Sequence, residues 1–312
     1  MRMLILGAGG IGGYFGARLH QAGADVRFLV RPARARVLHD RGLRVFSPLG
    51  DVEVTPELLT AVDDGDHFDL VLLSCKAYDL VSAIDAIAPA VGPHSVVVPL
   101  LNGIAHLDRL DARFGRVRVA GGVAHLALTA DETGAIRHLN ATQRLIIGAR
   151  TEPAPPAFDW LGALITRMSP DYTVSPDIEQ DMWDKLVFIS VLAGTTCLMR
   201  ATIGDILATR AGRALIEGML QESATIAASC GHAPSASRLA GYRAQLTETG
   251  SSLTASMLRD MLRGAPTEAD HVFGNLIERA AEVALPTPLL DLAMSALQAY
   301  EISRRRLSAS SG

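Results

Sequence analysis

The chain has 312 residues, 49% hydrophobic and 20% charged, and a formal net charge of −4. That length suits about two domains with sizeable cores, and the negative balance argues against a nucleic-acid or membrane-surface role. The apolar N-terminal stretch is one strand long and breaks at glycine, so it does not read as a signal peptide. Cys75, Cys197 and Cys230 are scattered and form no CxxC pair. They read as reduced, cytoplasmic thiols and lend no support to a metal site.

Met1 to Leu6 is an apolar run that reads as a buried parallel strand. Gly7, Gly9 and Gly12 follow at once in GxGxxG spacing, with Gly10 and Ile11 inside the motif, and an amphipathic stretch runs from Tyr14 to Ala22. Strand, turn and helix together give the motif its dinucleotide-binding context. Gly7 permits the tight turn, Gly9 admits a pyrophosphate, and Gly12 lets the helix pack close to the strand. The helix N-terminus offers N–H groups and a positive dipole end to the phosphates.

Asp25 to Val30 is the second strand, and Arg31 stands where an NAD site places an acid, followed by Arg34 and Arg36. Arginine binds a 2′-phosphate bidentately, so the cofactor expected is NADP(H), with Arg31 as its first contact. The competing reading is that these arginines only solvate a loop or a helix start. Val45 and Val52 to Val54 read as a hairpin around Pro48–Gly50. Leu70 to Ser74, Ser95 to Leu100, Val117 to Val123 and Leu145 to Ile147 read as further strands, and Leu80 to Ala88 as a helix. This alternation predicts an α/β architecture: an N-terminal Rossmann domain, residues 1–174, with a doubly wound parallel sheet. From residue 175 to 312 an all-helical domain follows, with helical patterns at Glu179–Met199, Ala211–Ser229, Leu239–Gly250, Thr267–Ala284 and Leu289–Arg305. Leu186 to Met199, between Lys185 and Arg200, is too short to span a bilayer and reads as a core helix. Arg304 to Arg306 and the polar end Ser-Ala-Ser-Ser-Gly read as a solvated tail. The alanine- and leucine-rich half suits a homodimer and a monomer equally.

Further segments carry a resemblance. They are Cys75-Lys76-Ala77-Tyr78, Asn102-Gly103, the MWDKL stretch at Lys185, Ser256-Met257-Leu258, Asp260 and Pro266-Thr267-Glu268-Ala269-Asp270. In order and spacing they resemble the ketopantoate reductase (2-dehydropantoate 2-reductase) family, from Gly7 to about Pro288. The resemblance implies reduction of a 2-oxo acid by NADPH in a cleft between a Rossmann domain and a helical domain. It implies Lys185 as the catalytic lysine and Glu268 as the acid that organises the site. It also implies Ser256 as a substrate contact, and Asn102 and Lys76 at the junction of cofactor and substrate. A place in pantothenate biosynthesis would follow.

The chemistry agrees. Hydride attack on a carbonyl builds negative charge on oxygen, which a lysine ammonium stabilises and then protonates. The structural alternatives are a lysine snorkelling from an amphipathic helix and a Glu268 that only favours a helix start. His125 reads as structural. The family's usual asparagines four and eight residues after the lysine are Ile189 and Ala193 here, a third is Ile203, and Ala265 replaces a basic residue. These changes imply an oxo acid less polar than ketopantoate. Arg200 has two equal readings, a partner for the substrate carboxylate or a helix C-terminal cation. A dehydrogenase of another hydroxy or amino acid, and a dinucleotide sensor without catalysis, are the other functions considered.

Overall fold

The computed structural model describes the backbone of residues 1–310 and the side chains of residues 1–307. In chain order the first elements are β1 (Arg2–Leu6), α1 (Gly10–Gln21), β2 (Asp25–Leu29), α2 (Pro32–Arg41), β3 (Leu43–Phe46), β4 (Val52–Val54), β5 (Glu57–Leu59), β6 (Phe68–Leu73), α3 (Leu80–Ile87) and β7 (Val91–Pro99). Next come α4 (His106–Phe114), β8 (Gly121–His125), β9 (Leu128–Ala130), β10 (Ile136–His138), β11 (Arg144–Gly148), α5 (Pro156–Met168) and β12 (Tyr172–Val174). The remainder is helical: α6 (Ile178–Met199), α7 (Ile203–Leu207), α8 (Gly212–Ser229), α9 (Ala236–Leu246), α10 (Ser256–Leu262), α11 (Asn275–Glu282) and α12 (Pro288–Ser310).

The chain divides into two compact units. The first holds Met1–Leu101 and His106–Asp181; the second holds Asn102–Ala105 and the chain from Met182 onward. The expected boundary is residue 174, and the first turn of α6 groups with the first unit. Glu179, in the first turn of α6, pairs with Arg150 at 2.9 Å and Arg116 at 2.8 Å, both of the first unit. Arg150, with only 3% of its side chain exposed, also grips Asp111 of α4 at 2.7 Å.

In the first unit the five parallel strands run β5-β2-β1-β6-β7. β1 is central because Met3, Leu4 and Ile5 are fully buried. The order reverses direction at β1, with β2 on one side and β6 on the other, which makes the crevice at their C-terminal ends the switch point of the sheet. Two smaller sheets accompany this expected parallel sheet. β4-β3-β10-β9 form a second, mixed sheet, in which the expected hairpin of β3 and β4 is antiparallel. β12-β11-β8 form a third, with β8 and β11 antiparallel. The strand expected over Val117 to Val123 starts later: residues 116–118 make a 3₁₀ turn, and β8 begins at Gly121.

In the second unit the helix expected over Thr267–Ala284 runs without interruption over residues 269–282; it contains a π-helical turn, Asp270–Gly274, that leads into α11, and Ala284 follows with φ +55°. α9 starts earlier than expected, because Ser235 caps it by accepting from the Arg238 N–H. α6 has the length and hydropathy of a membrane span, but 72% of its apolar window is buried in protein, as a core helix requires. α12 continues through Arg304, Arg305 and Arg306, and Arg304 pairs with Glu301 at 3.0 Å. The tail's last two residues lie outside the described residues.

Candidate functional site

In the first unit, Leu6 of β1 is in register with Leu29 of β2 and Leu73 of β6. The residues just beyond these three strand ends, Gly7, Arg31 and Lys76, therefore share one edge of the sheet. Gly7 has φ +89°, and its N–H donates to Leu29 O at 2.9 Å, which turns the chain sharply out of β1. A side chain at Gly12 would collide with Ser74 Oγ and the Gly7 carbonyl, so α1 can approach β1 and β6 only with glycine there. Ser74 completes the contact by donating to Leu6 O at 2.9 Å.

Gly9 differs. A Cβ there would meet nothing within 4 Å, and its φ of −84° suits any residue. Neither packing nor backbone conformation explains this glycine, whereas a pyrophosphate lying against the backbone does. Gly9 is also the N-cap of α1 and supplies no side-chain cap, which leaves the first-turn N–H groups to an anion. Gly10 and Ile11 are half-buried, and Ile11 packs on the core. The loop thus fits a dinucleotide by shape and polarity. Arg31 N-caps α2 and is exposed, paired with Asp79 at 2.8 Å. Arg34 donates to Ala8 O and to Gly134 O, both at 2.9 Å, and pins the glycine loop from behind. Burial lowers its guanidinium pKa. Lys76 is half-buried and caps the 3₁₀ turn Ala77–Asp79.

The other candidates lie in the second unit. Lys185 sits on α6 about two turns from its start. Burial pushes its ammonium pKa from 10.5 down to about 8, and the charge of Glu268 opposes that fall. Glu268 is itself buried, 9% exposed. Trp183 stacks on His232 with ring centres 5.4 Å apart, and Asp184 pairs with Arg238 at 2.9 Å, which fixes α6 on either side of the lysine turn. Asn102 joins this unit through Gly103. That glycine has φ +79°, and a Cβ on it would stand 3.1 Å from the ring of His271 and 3.3 Å from its carbonyl. His271 belongs to the π-turn that starts two residues after Glu268, and such turns recur at functional sites.

Ser256 is the exposed first residue of α10. The N–H before it, from Ala255, donates to Thr196 Oγ1 at 3.4 Å, which ties α10 to α6 one turn beyond Ala193. Ile189 is half-buried, but Ala193 is only 5% exposed, so Ile189 offers the larger surface to a ligand. Arg200 is exposed with φ +49°, and Ala201 N donates to Thr196 O at 3.3 Å. That is the left-handed cap of α6. His125 ends β8, half-buried. Sequence reasoning missed Tyr300 and Glu301 of α12. Tyr300 Oη donates to Ala265 O at 2.8 Å, and Glu301 accepts from Thr267 N at 2.7 Å. Nothing in their helical surroundings marks them beforehand.

Residues 3–152 match the family model described as ketopantoate reductase PanE/ApbA, and residues 177–301 match that of its C-terminal part. The chain belongs to the ketopantoate reductase family. Family membership makes it a nicotinamide-dependent oxidoreductase of 2-oxo acids and their CH–OH counterparts. It is 37% identical over 305 residues to the uncharacterized oxidoreductase YkpB of Bacillus subtilis (strain 168), covering 97% of this chain and 100% of that relative. It is 29% identical over 329 residues to the 2-dehydropantoate 2-reductase of Mesorhizobium japonicum (strain LMG 29417 / CECT 9101 / MAFF 303099), covering 97% and 99%. A D-mandelate dehydrogenase solved with NADH and anilino(oxo)acetate shares the fold, with a TM-score of 0.89 over 98% of this chain and 99% of that one, at 20% identity.

Proposed function

We propose that the chain reduces a 2-oxo acid less polar than ketopantoate with NADPH, and that Lys185 protonates the nascent alkoxide. The observation that carries this reading is an ammonium whose pKa burial has lowered to about 8 beside a buried carboxylate, Glu268. Such a group is charged at neutral pH, yet close enough to its pKa to release a proton readily. When bound, the dinucleotide supplies the hydride. The residues proposed to hold it are Gly7, Gly9, Gly10, Ile11 and Gly12 at the phosphates, Arg31 at the 2′-phosphate, and Lys76 and Asn102 towards the nicotinamide.

On the substrate side, Lys185 polarises the ketone oxygen and Glu268 orients the ammonium. Ser256 donates to the carboxylate. Ile189 and Ala193, where the family carries asparagines, leave no polar partner for a substrate hydroxyl and favour an apolar side chain. A site without that hydrogen bond discriminates only weakly in favour of the hydroxylated acid. We assign the enzyme to the cytoplasm, in keeping with three cysteines of which none forms a disulfide.

A second reading of the cofactor has one observation behind it. Arg31 is already engaged by Asp79, and a coenzyme without a 2′-phosphate would leave that ion pair intact. Steady-state oxidation of NADPH and NADH with a panel of 2-oxo acids tests both points. The account expects NADPH to be preferred and an apolar oxo acid to exceed ketopantoate in kcat/KM. Ketopantoate as the best substrate refutes the specificity, NADH as the better donor refutes the cofactor, and no turnover with any oxo acid points to a sensor.

A further inference from the structure

We propose that Tyr300 and Glu301 of α12 are positioning residues that clamp the Ala265–Thr267 segment and so hold Glu268 against Lys185. The inference rests on the roles proposed above for Lys185 and Glu268. The segment between α10 and the π-turn has no helix of its own, and Pro266 in its middle has no N–H with which to anchor itself. Two consecutive residues of α12 take hold on either side of that proline. Tyr300 Oη donates to the Ala265 carbonyl at 2.8 Å, and Glu301 Oε1 accepts from the Thr267 N–H at 2.7 Å. On the far side, Glu268 O accepts from Val272 N at 3.1 Å. Glu268 is thus bracketed by a side-chain clamp before it and the π-turn after it.

The clamp is built to stay ionised and oriented. Arg304 donates to Glu301 Oε2 at 3.1 and 3.0 Å, which leaves Oε1 for Thr267. Burial would raise the Glu301 carboxyl, but the Thr267 N–H and Arg304 outweigh it and hold the group below its ordinary value. Burial, then the Glu301 charge, raise the Tyr300 hydroxyl, so it remains a donor. Asp260, Arg200 and Arg304 are the other charges acting on Tyr300. At the lysine, Glu268 is the charge that acts on the ammonium, while Asp184 beside it on α6 is taken by Arg238. If the clamp loosens, the Glu268 carboxylate swings towards water, its support for the protonated lysine weakens, and the lysine titrates at lower pH.

The test is the pH dependence of kcat for the full-length enzyme with saturating NADPH and its best oxo acid. In the parent, kcat falls on the alkaline side near the lysine's value of about 8. Glu268→Gln moves that fall lower by about one pH unit, and Glu301→Ala moves it lower by about half a unit. Glu301→Gln keeps an oxygen acceptor for Thr267 and restores most of the parent profile. Tyr300→Phe shifts it in the same direction by less, and carries the test if Glu301→Ala does not fold. A limb that moves with Glu268→Gln but stays in place in both Glu301→Ala and Tyr300→Phe overturns the clamp, whatever happens to kcat or Tm. A parent profile with no alkaline limb overturns the Lys185 reading and the clamp with it.

Discussion

Replacing Lys185 by methionine separates what the ammonium does for catalysis from what it costs the fold. Lowering its pKa from 10.5 to about 8 corresponds to about 3 kcal/mol of lost folding free energy, at roughly 1.36 kcal/mol per pKa unit. That value already includes the attraction of Glu268. Methionine fills similar volume without a charge, so the variant recovers part of this amount. The remainder is offset because buried Glu268 loses its cation. At pH 7 Lys185→Met is therefore expected to be as stable as the parent or up to about 3 kcal/mol more stable, and adding Glu268→Gln increases the gain.

The pH dependence has a definite sign. Below about 8 the lysine is protonated in both folded and unfolded chains, and the variant's advantage is complete. Between about 8 and 10.5 the folded parent releases the proton while the unfolded chain keeps it, so parent stability rises and the advantage fades. Urea unfolding with unchanged m-values at neutral and alkaline pH measures this. kcat should meanwhile fall by about two to four orders of magnitude with coenzyme affinity intact. If both the single and the double variant are less stable than the parent at pH 7, the ammonium is not desolvated and the argument for its lowered pKa fails.

The two loop glycines make opposite predictions. Gly12→Ala forces a Cβ into Ser74 Oγ and the Gly7 carbonyl and should unfold or strongly destabilise the first unit, whereas Gly9→Ala should keep the parent's Tm and lose about tenfold in NADPH affinity by calorimetry. Arg31→Ala should cut the NADPH over NADH preference in kcat/KM by about tenfold, and Asp79→Ala, which releases Arg31 from its ion pair, should raise it. An unchanged ratio in both would remove Arg31 from the 2′-phosphate. Arg150→Met removes the buried cation between Asp111 and Glu179, leaves them only the half-exposed Arg116, and should cost up to about 3 kcal/mol in denaturant unfolding, with kcat of the folded fraction unchanged.

Much of the first unit was legible because its signals are local. The first strand, three glycines and an arginine after the second strand fall within the first 31 residues, so their pattern is visible in one short stretch. The same locality explains what was missed. α2 carries weak periodicity, and the pairing of β10 with β3 joins residues about ninety apart in the chain. The ion pairs of Glu179 with Arg116 and Arg150 are likewise long-range, and no pattern along α6 reveals them. In the second unit the proposed site residues Lys185, Glu268, Ser256 and Asn102 stand out only through the order of family motifs along the chain. Tyr300 and Glu301 act through backbone groups more than thirty residues away and carry no motif.

The central claim is that a ketone accepts hydride from the nicotinamide while Lys185 supplies the proton. The most direct test is the mass of the product formed from an apolar 2-oxo acid and NADPH deuterated at its transferable position, with parent and Lys185→Ala enzyme side by side. The account predicts a 2-hydroxy acid carrying one deuterium at the carbinol carbon from the parent and almost none from the variant in the same time. Product without deuterium, or equal labelled product from both enzymes, would contradict it.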